Sequence, residues 1–313
     1  MASRYANEVR LTLPDNFHRG KIGVVTILYN SAAVLPDFFQ SIEHQNYTNF
    51  IVYCVDNASS DGSVEMCQKR QGPYITIANK ENLGVAAGNN QGIRAAVQDG
   101  CEYVLLLNND VVFGPQMFEE LLEGLHKHDA DMATPKIFYH DRPSVIWCAG
   151  GGFNALAGFR QIHRGDGEQD GAKFSSDLRV EYSPTCCVLM KRDLFQTVGV
   201  MDERYFVYWD DTDWMLRAKR AGAKLWFLHG PQLWHKVSSL TGGTSEFTLY
   251  YSTRNHAYYF YKHLPVVLAA IYSRIYRIVY RISLFSPRTR EDARVRLSAW
   301  HAGMKLFSDR HGD

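Results

Sequence analysis

Three apolar, β-branched stretches, each closed by a polar loop and followed by a helical pattern, most constrain how this chain can fold. Ile22 to Leu28 runs into Tyr29-Asn30-Ser31, after which Leu35, Phe38, Phe39 and Ile42 recur at helical spacing. Phe50 to Val55 runs into Asp56-Asn57-Ala58-Ser59-Ser60-Asp61-Gly62, with Val64 and Met66 in the helix behind it. Tyr74 to Ala78 precedes an alanine-rich helix over Val85 to Val97. Strands alternating with helices of this length imply βαβ crossovers and a mostly parallel sheet. Ligands of such a sheet gather at the carboxyl ends of its strands. Here every one of those ends is a polar, small-residue loop.

A fourth run, Tyr103 to Leu107, delivers Asn108-Asn109-Asp110 to the same edge. A lone carboxylate in a setting fit for phosphates points to a divalent cation holding a diphosphate; a polar turn after a strand is the plainer alternative. Asp56 is placed to accept a hydrogen bond from a base N–H, or else caps its own turn. The third loop, Asn82 to Asn90, opens a helix with residues of little side chain, which lets backbone N–H groups approach a phosphate or ribose. It is neither a P-loop nor the dinucleotide fingerprint, because the lysine and the glycine spacing are both missing.

Four segments together, Val25 to Asn30, Val55 to Ser63, Asn82-Leu83-Gly84 and Leu107 to Asp110, resemble the GT-A glycosyltransferases of family 2, with rhamnosyltransferase-like and galactofuranosyltransferase-like members most similar. The resemblance covers roughly residues 20 to 260. It implies an α/β GT-A fold, Rossmann-like, with a mostly parallel central sheet flanked by helices. It also implies inverting transfer of a sugar from a nucleotide diphosphate to an acceptor hydroxyl, with Mn²⁺ or Mg²⁺. Carried over residue by residue, Thr26, Asn30 and Asp56 hold the nucleoside, with Asp56 at the base. Asn82 and Gly84 face the ribose and phosphates, Asn108 belongs to the same nucleotide site, and Asp110 binds the metal. The chain departs from the family's Asp-x-Asp by carrying Asn108-Asn109-Asp110, so the metal needs ligands from elsewhere.

The second half supplies them. Trp209-Asp210-Asp211-Thr212-Asp213 starts a helical pattern that ends at Gly222. Acids at a helix start suit the macrodipole, yet three close carboxylates repel one another and raise a carboxyl pKa towards the range useful for proton transfer. The resemblance makes Asp211 the base that takes the acceptor proton, with Asp210 and Trp209 placing the acceptor and Asp213 structural. After a strand at Leu225 to Leu228, His235 is the family's position for completing the metal or diphosphate site. Imidazole suits manganese better than calcium, so Mn²⁺ or Mg²⁺ is the expected ion. Ser238 to Thr244 reads as a loop able to close over the diphosphate. The middle of the chain, Trp147 to Phe153 and the polar run Arg160 to Lys173, reads as an irregular insertion, near which relatives place acceptor contacts, as they do at Pro184 to Met190.

With 313 residues there is length for one large domain and an appendage. The expected division is an N-terminal extension (1–20), the glycosyltransferase domain (21–260) and a basic amphipathic helical C-terminal extension (261–313). A net charge of +1 gives no general affinity for nucleic acid. Six cysteines without C-x-x-C spacing support neither zinc nor a disulfide framework, and the N-terminus shows no apolar signal-peptide core. The charge is uneven: from Arg254 onward there are 11 Lys and Arg against 4 Asp and Glu. There Ile271, Ile275, Ile278, Ile282 and Phe285 recur at helical spacing, with Arg274, Arg277 and Arg281 on another face. Such a helix over 264–285 lies in an anionic membrane surface or packs on the protein. The expected enzyme is cytoplasmic, with a peripheral position on the inner face of the cytoplasmic membrane as the alternative. It transfers rhamnose from dTDP-rhamnose, or galactofuranose, hexose or N-acetylhexosamine from a UDP-sugar, to a saccharide or lipid-linked glycan. A sugar-1-phosphate nucleotidyltransferase and a non-catalytic nucleotide-sugar-binding module are the rivals.

Overall fold

A computed structural model describes residues 20–237 and 245–309. The loop Ser238 to Thr244, and all of the expected N-terminal extension except Gly20, lie outside the described residues. The repeating units form β1 (Ile22–Leu28), α1 (Leu35–Glu43), β2 (Phe50–Asp56), α2 (Ser63–Gln68), β3 (Tyr74–Ala78), α3 (Gly84–Gln98) and β4 (Tyr103–Leu107). The four strands are parallel neighbours in the order β3-β2-β1-β4. Side chains alternate across the sheet, as the pleat requires. Val24 and Leu28 join Leu35 and Phe38 of α1 on one face, while Val25 joins Ile93 of α3 on the other. Helix α3 lies unusually close to β1, since a Cβ on Gly92 would sit 2.3 Å from Val25 Cγ1. That close approach is what the glycine permits.

Beyond β4 the chain changes habit. It forms β5 (Val111–Phe113), α4 (Met117–Lys127), β6 (Met132–Tyr139), β7 (Ile146–Cys148), β8 (Gly151–Asn154), β9 (Arg160–His163), β10 (Leu178–Val180), β11 (Cys187–Lys191), α5 (Leu194–Thr197), α6 (Asp210–Arg220) and β12 (Leu225–His235). Strand β11 inserts antiparallel between β4 and β6, extending the sheet to β10-β12-β6-β11-β4-β1-β2-β3. The expected strand at Leu225 to Leu228 is only the start of an 11-residue strand. Its pairing with β6 shifts register between Phe227 and Gln232, and the strand then carries His235 opposite Val111 of β5. The middle insertion is more ordered than its composition indicates. Strands β8 and β9 form a hairpin, so Arg160–His163 is strand and the irregular part begins after it.

The C-terminal region is α7 (Glu246–His263), α8 (Val266–Ser283) and α9 (Arg290–Ser308). Helix α7 runs through residue 260, where the sequence reading ends the catalytic domain, and crosses α9 so closely that a Cβ on Gly303 would meet the Arg254 carbonyl at 2.0 Å. Tyr258, Tyr259, Phe260, Tyr280 and Trp300 build a third core that also takes in Tyr205 and Leu216. The helical region is thereby packed on α6 and the segment before it. All six cysteines are buried and free. Among the described residues no helix is long and apolar enough to cross a membrane.

Candidate active site

The loops at the carboxyl ends of β1, β2 and β4 are stitched to one another by short polar side chains. Asn30, at φ 50°, accepts the Ser60 N–H on Oδ1 at 2.9 Å and donates its own N–H to Ser59 Oγ at 2.9 Å. Asp61 accepts from the Ala32 N–H at 2.8 Å and from Ser63 Oγ at 2.5 Å. Asn109 donates to the Ile27 carbonyl at 2.6 Å and to Ser31 Oγ at 3.2 Å. The middle residue of Asn108-Asn109-Asp110 is therefore a strut between the β4 and β1 loops. Asn108 is exposed beside it, its backbone N–H donating to the Cys186 carbonyl at 2.9 Å.

Asp56 is buried at the end of β2, and its Oδ2 accepts the Ser59 N–H at 2.9 Å. Its Oδ1 has no hydrogen-bond partner, and neither has the buried Thr26 Oγ1. An unpaired buried acceptor costs about 1–3 kcal/mol, which an incoming N–H would recover. At the start of α3, Asn82 Oδ1 accepts the Gly84 N–H at 2.9 Å and Asn57 Nδ2 donates to the Gly84 carbonyl at 3.0 Å. Gly84 has φ +84°, and a Cβ there would lie 2.4 Å from the Phe206 carbonyl oxygen. Gly84 thus presses the β3–α3 loop against the segment that leads into α6.

Asp110 and His235 meet across the β5–β12 pairing. Both are buried, with Nε2 of the imidazole 3.2 Å from Asp110 Oδ1. The Lys236 N–H also donates to the Asp110 carbonyl at 2.8 Å, which locks the two chain segments together. Burial opposes charge on His235, but the Cys186 and Asp110 side chains beside it outweigh burial and raise its pKa to about 10.

From His235 an aromatic chain leads to the acidic helix start. Trp147 packs edge-on against His235 with ring centroids 4.6 Å apart, and against His163 at 5.1 Å. His163 stacks on Tyr182 at 5.6 Å, and the Tyr182 hydroxyl donates to Asp211 Oδ2 at 2.8 Å. Asp211 Oδ1 accepts from the Thr212 N–H at 2.6 Å and from Thr212 Oγ1 at 3.1 Å. Burial lowers the His163 pKa, so this ring stays neutral beside the carboxylate. Asp210 is buried, and desolvation together with the neighbouring Asp211 charge raises its pKa to about 8. It keeps its proton at neutral pH, so the pair does not carry two full charges side by side. Asp213 faces the other way, accepting from Arg217, Lys262, His263 and Tyr205.

The backbone entering α6 is strained. Phe206, Tyr208 and Trp209 have φ of 65°, 64° and 69°, a region that L side chains seldom adopt. Asn255 of α7 holds it, donating from Nδ2 to the carbonyls of Tyr205 at 2.8 Å, Val207 at 2.7 Å and Tyr208 at 2.9 Å. Arg254 donates to the Arg204 and Tyr205 carbonyls, both at 2.7 Å. Trp209 stacks on His256 at 4.4 Å, so its ring belongs to the helical core as much as to the cleft.

The family model for glycosyl transferase family 2 matches residues 23–199, more than half of the chain. The chain belongs to this family. Glycosyltransferase GlyG of Streptococcus pneumoniae is 28% identical over 216 residues, covering 66% of this chain and 68% of that protein. The N-acetylglucosaminyl-diphospho-decaprenol L-rhamnosyltransferase of Mycobacterium tuberculosis is 24% identical over 241 residues, covering 70% and 77%. The crystal structure of GalNAc-T7 with UDP, GalNAc and Mn²⁺ superposes with a TM-score of 0.60 at 14% identity, over 93% of this chain and 57% of that one. The chain thus spans less than two thirds of that protein. Staphylococcus aureus TarS 1–349 in complex with UDP-GlcNAc gives 0.55 at 15% identity, over 93% and 82%. The fold of this glycosyltransferase is GT-A, with a helical C-terminal region.

Of the residues singled out from sequence, Asp110 and His235 are brought into contact, Asn30 and Asp56 share the Ser59–Ser60 loop, and Asn82 and Gly84 form one turn. Thr26 is enclosed within β1. Trp147, His163, Tyr182 and Asn255 were not singled out individually. Trp147 and His163 lay in the stretches near which acceptor contacts were expected. Tyr182 and Asn255 carry no local signal, because their partners are between 29 and 50 residues away.

Proposed function

We propose that this protein is a metal-dependent, inverting glycosyltransferase that moves rhamnose from dTDP-rhamnose to a hydroxyl of a saccharide or lipid-linked acceptor. The observation that carries the reading is the unbroken line of contacts from Asp110 and His235 through Trp147, His163 and Tyr182 to Asp211. This line of contacts supports reading Asp110 and His235 as the residues for the leaving diphosphate and Asp211 as the residue for the acceptor proton. The donor and acceptor classes rest on likeness to the mycobacterial rhamnosyltransferase. UDP-sugars are the alternative donors, because the structural neighbours were solved with UDP or UDP-GlcNAc.

Asp110 and His235 would hold Mn²⁺ or Mg²⁺, with His235 giving up its proton when the ion binds. One carboxylate and one imidazole suit either ion, which ordinarily keeps several positions for substrate oxygens and water. Among the described residues no group of three or more His, Cys, Asp or Glu gathers for a metal, so the donor and water would supply the rest. When bound, such an ion neutralises charge on the leaving nucleoside diphosphate. Asp56 takes the base through its unpaired Oδ1. Asp211 accepts the acceptor proton as that oxygen bonds to the anomeric carbon and the bond from carbon to the diphosphate oxygen breaks. Attack opposite the leaving group inverts the centre. Tyr182 and Thr212 fix the rotamer of Asp211 meanwhile.

Thermal shift against UDP, dTDP, GDP and CMP, with and without Mn²⁺, tests the reading. Binding to the native state alone raises the melting temperature by mass action. Metal-dependent stabilisation by dTDP or UDP, lost in Asp110→Ala, is the expected result. A cooperative melt indifferent to all four nucleotides overturns it.

A further inference from the structure

We infer that α8 docks this protein on an anionic lipid bilayer, with the helix lying flat in the headgroup layer. The helix is 18 residues long, about 27 Å at the usual rise. Ala269, Ser273 and Tyr280 are buried against the neighbouring helices. The opposite side is a stripe of Val267, Ile271, Ile275, Ile278 and Ile282, exposed from 48% at Ile271 to 71% at Val267, with Phe285, 84% exposed, in the turn just after the helix. At helical spacing these five fall within an arc of about 80°. Arg274 and Arg281, both exposed, and the half-buried Arg277 run along one edge of that arc. Helix packing accounts for the buried face and leaves the isoleucine face without a protein partner among the described residues.

The charge pattern selects the occupant. From Leu264 to Arg290 the chain has five arginines and no acidic residue. A second copy meeting this face through the same helix would bring arginines and no carboxylate to pair with them. An anionic headgroup layer satisfies both parts, taking the isoleucines to the acyl boundary and the arginines to its phosphates. The helix is also joined to the catalytic surface. The Tyr272 hydroxyl donates to the Leu156 carbonyl at 2.5 Å, and Leu156, 89% exposed, tips the β8–β9 hairpin. The far end of that hairpin is His163, in the contact line to Asp211. Docking through α8 and Leu156 therefore sets the proposed acceptor side of the cleft beside the bilayer. The docking surface itself does not rest on any donor or acceptor assignment.

Vesicle flotation of the full chain tests it, using phosphatidylcholine alone and phosphatidylcholine with 30% phosphatidylglycerol. Flotation with the anionic vesicles, weakened by 0.5 M NaCl, is the expected result. Two variants sharpen it. Arg274→Gln with Arg281→Gln should bind about thirtyfold more weakly, from about one unit of headgroup attraction lost per arginine. Ile275→Asp with Ile278→Asp should abolish flotation. Because these side chains are exposed, both variants should melt as the parent does, and transfer to a short water-soluble acceptor should be unchanged. Failure of the parent to float overturns the inference, as does equal flotation by the isoleucine variant. A parent that is dimeric by light scattering, becomes monomeric on Ile275→Asp with Ile278→Asp, and ignores vesicles would assign the face to a second copy instead.

Discussion

The proposed donor side and the proposed base side of the site are built in different ways. The donor side is assembled from consecutive strand ends of one parallel sheet, and its residues are tied together by short polar bonds among Asn30, Ser59, Ser60, Asp61 and Ser63. The base side is assembled from distant pieces. Asp211 takes its position from Tyr182, from a hairpin more than 45 residues upstream, and from a left-handed backbone clamped by Asn255 of a helix that follows it. On the proposed reading, a sheet edge gives a nucleotide site from secondary structure alone, whereas a proton acceptor must be aimed and tertiary packing supplies the aim.

The largest effect expected is on turnover. Asp211→Asn keeps the shape and the Thr212 hydrogen bonds but removes the base, so transfer should fall about 10²–10⁴-fold. Nucleotide binding, measured by calorimetry with Mn²⁺, should stay within a factor of about two, on the view that donor and base sides are separable. Unaltered turnover would break the comparison by removing Asp211 from the chemistry.

Next in size is stability. Asp213 is completely buried beneath the base side and accepts from Lys262, His263 and Arg217. Burial pushes its pKa up, but these three partners together hold it well below the usual carboxylate range. A carboxylate with a lowered folded pKa stabilises above its unfolded pKa, and that stability is lost as the pH falls through the folded value. Asp213→Ala should therefore cost about 3–5 kcal/mol in urea unfolding at pH 7, because buried Lys262 loses a partner. The difference from the parent should shrink towards acid pH. A variant as stable as the parent would show that the helical region does not depend on this network.

Asn255→Ala sharpens the same contrast. It removes three hydrogen bonds to the left-handed segment and touches nothing at the donor edge. Expected is a fall in kcat of about 10²-fold, as for a misplacement of about 1 Å, with KM for the donor unchanged and Asn255→Asp failing to rescue, since a carboxylate donates no N–H. Equal losses in donor affinity would mean that the Gly84–Phe206 contact transmits the change across the cleft.

This contrast also decides what was legible in the sequence. The parallel half was readable because continuous apolar runs and polar loop ends are local properties, so β1 to β4 and the residues Asp56, Asn82 and Asp110 could be located one loop at a time. His235 was readable only by resemblance. Its contact with Asp110 depends on the register shift between Phe227 and Gln232, which no periodicity announces. The hairpin escaped because Gly151–Asn154 and Arg160–His163 are short and partly exposed, the first opening on two glycines and the second mostly polar, so neither alternation nor an apolar run marks them. Asn255 sits in the middle of a helix, where asparagine has no local signature. Its meaning lies in three carbonyls 47 to 50 residues away. In α8 the apolar period was plain, but only packing shows that Ala269, Ser273 and Tyr280 face inward.

The smallest effect expected is also the most selective. Asp210 and Asp211 are adjacent, yet burial and the neighbouring charge raise Asp210 to about 8. A carboxyl with a raised folded pKa binds a proton in the native state that the unfolded chain has released. Stability therefore falls as the pH rises from about 4 to about 8 and is flat in this respect outside that window. Asp210→Asn removes the titration while keeping a neutral group of the same size. The variant should gain stability relative to the parent as pH rises through the window, in urea midpoints taken at pH 5, 6.5 and 8. Its turnover should stay within about tenfold of the parent at pH 7, far from the loss in Asp211→Asn, because a protonated carboxyl and an amide are electrically alike. Two adjacent acids would then hold two roles set by surroundings alone: one buried and neutral to keep the pair from repelling itself, one aimed by Tyr182 to take the proton. If Asp210→Asn were instead as damaging as Asp211→Asn, the pair would titrate and act as a unit, and the base could not be assigned to either residue alone.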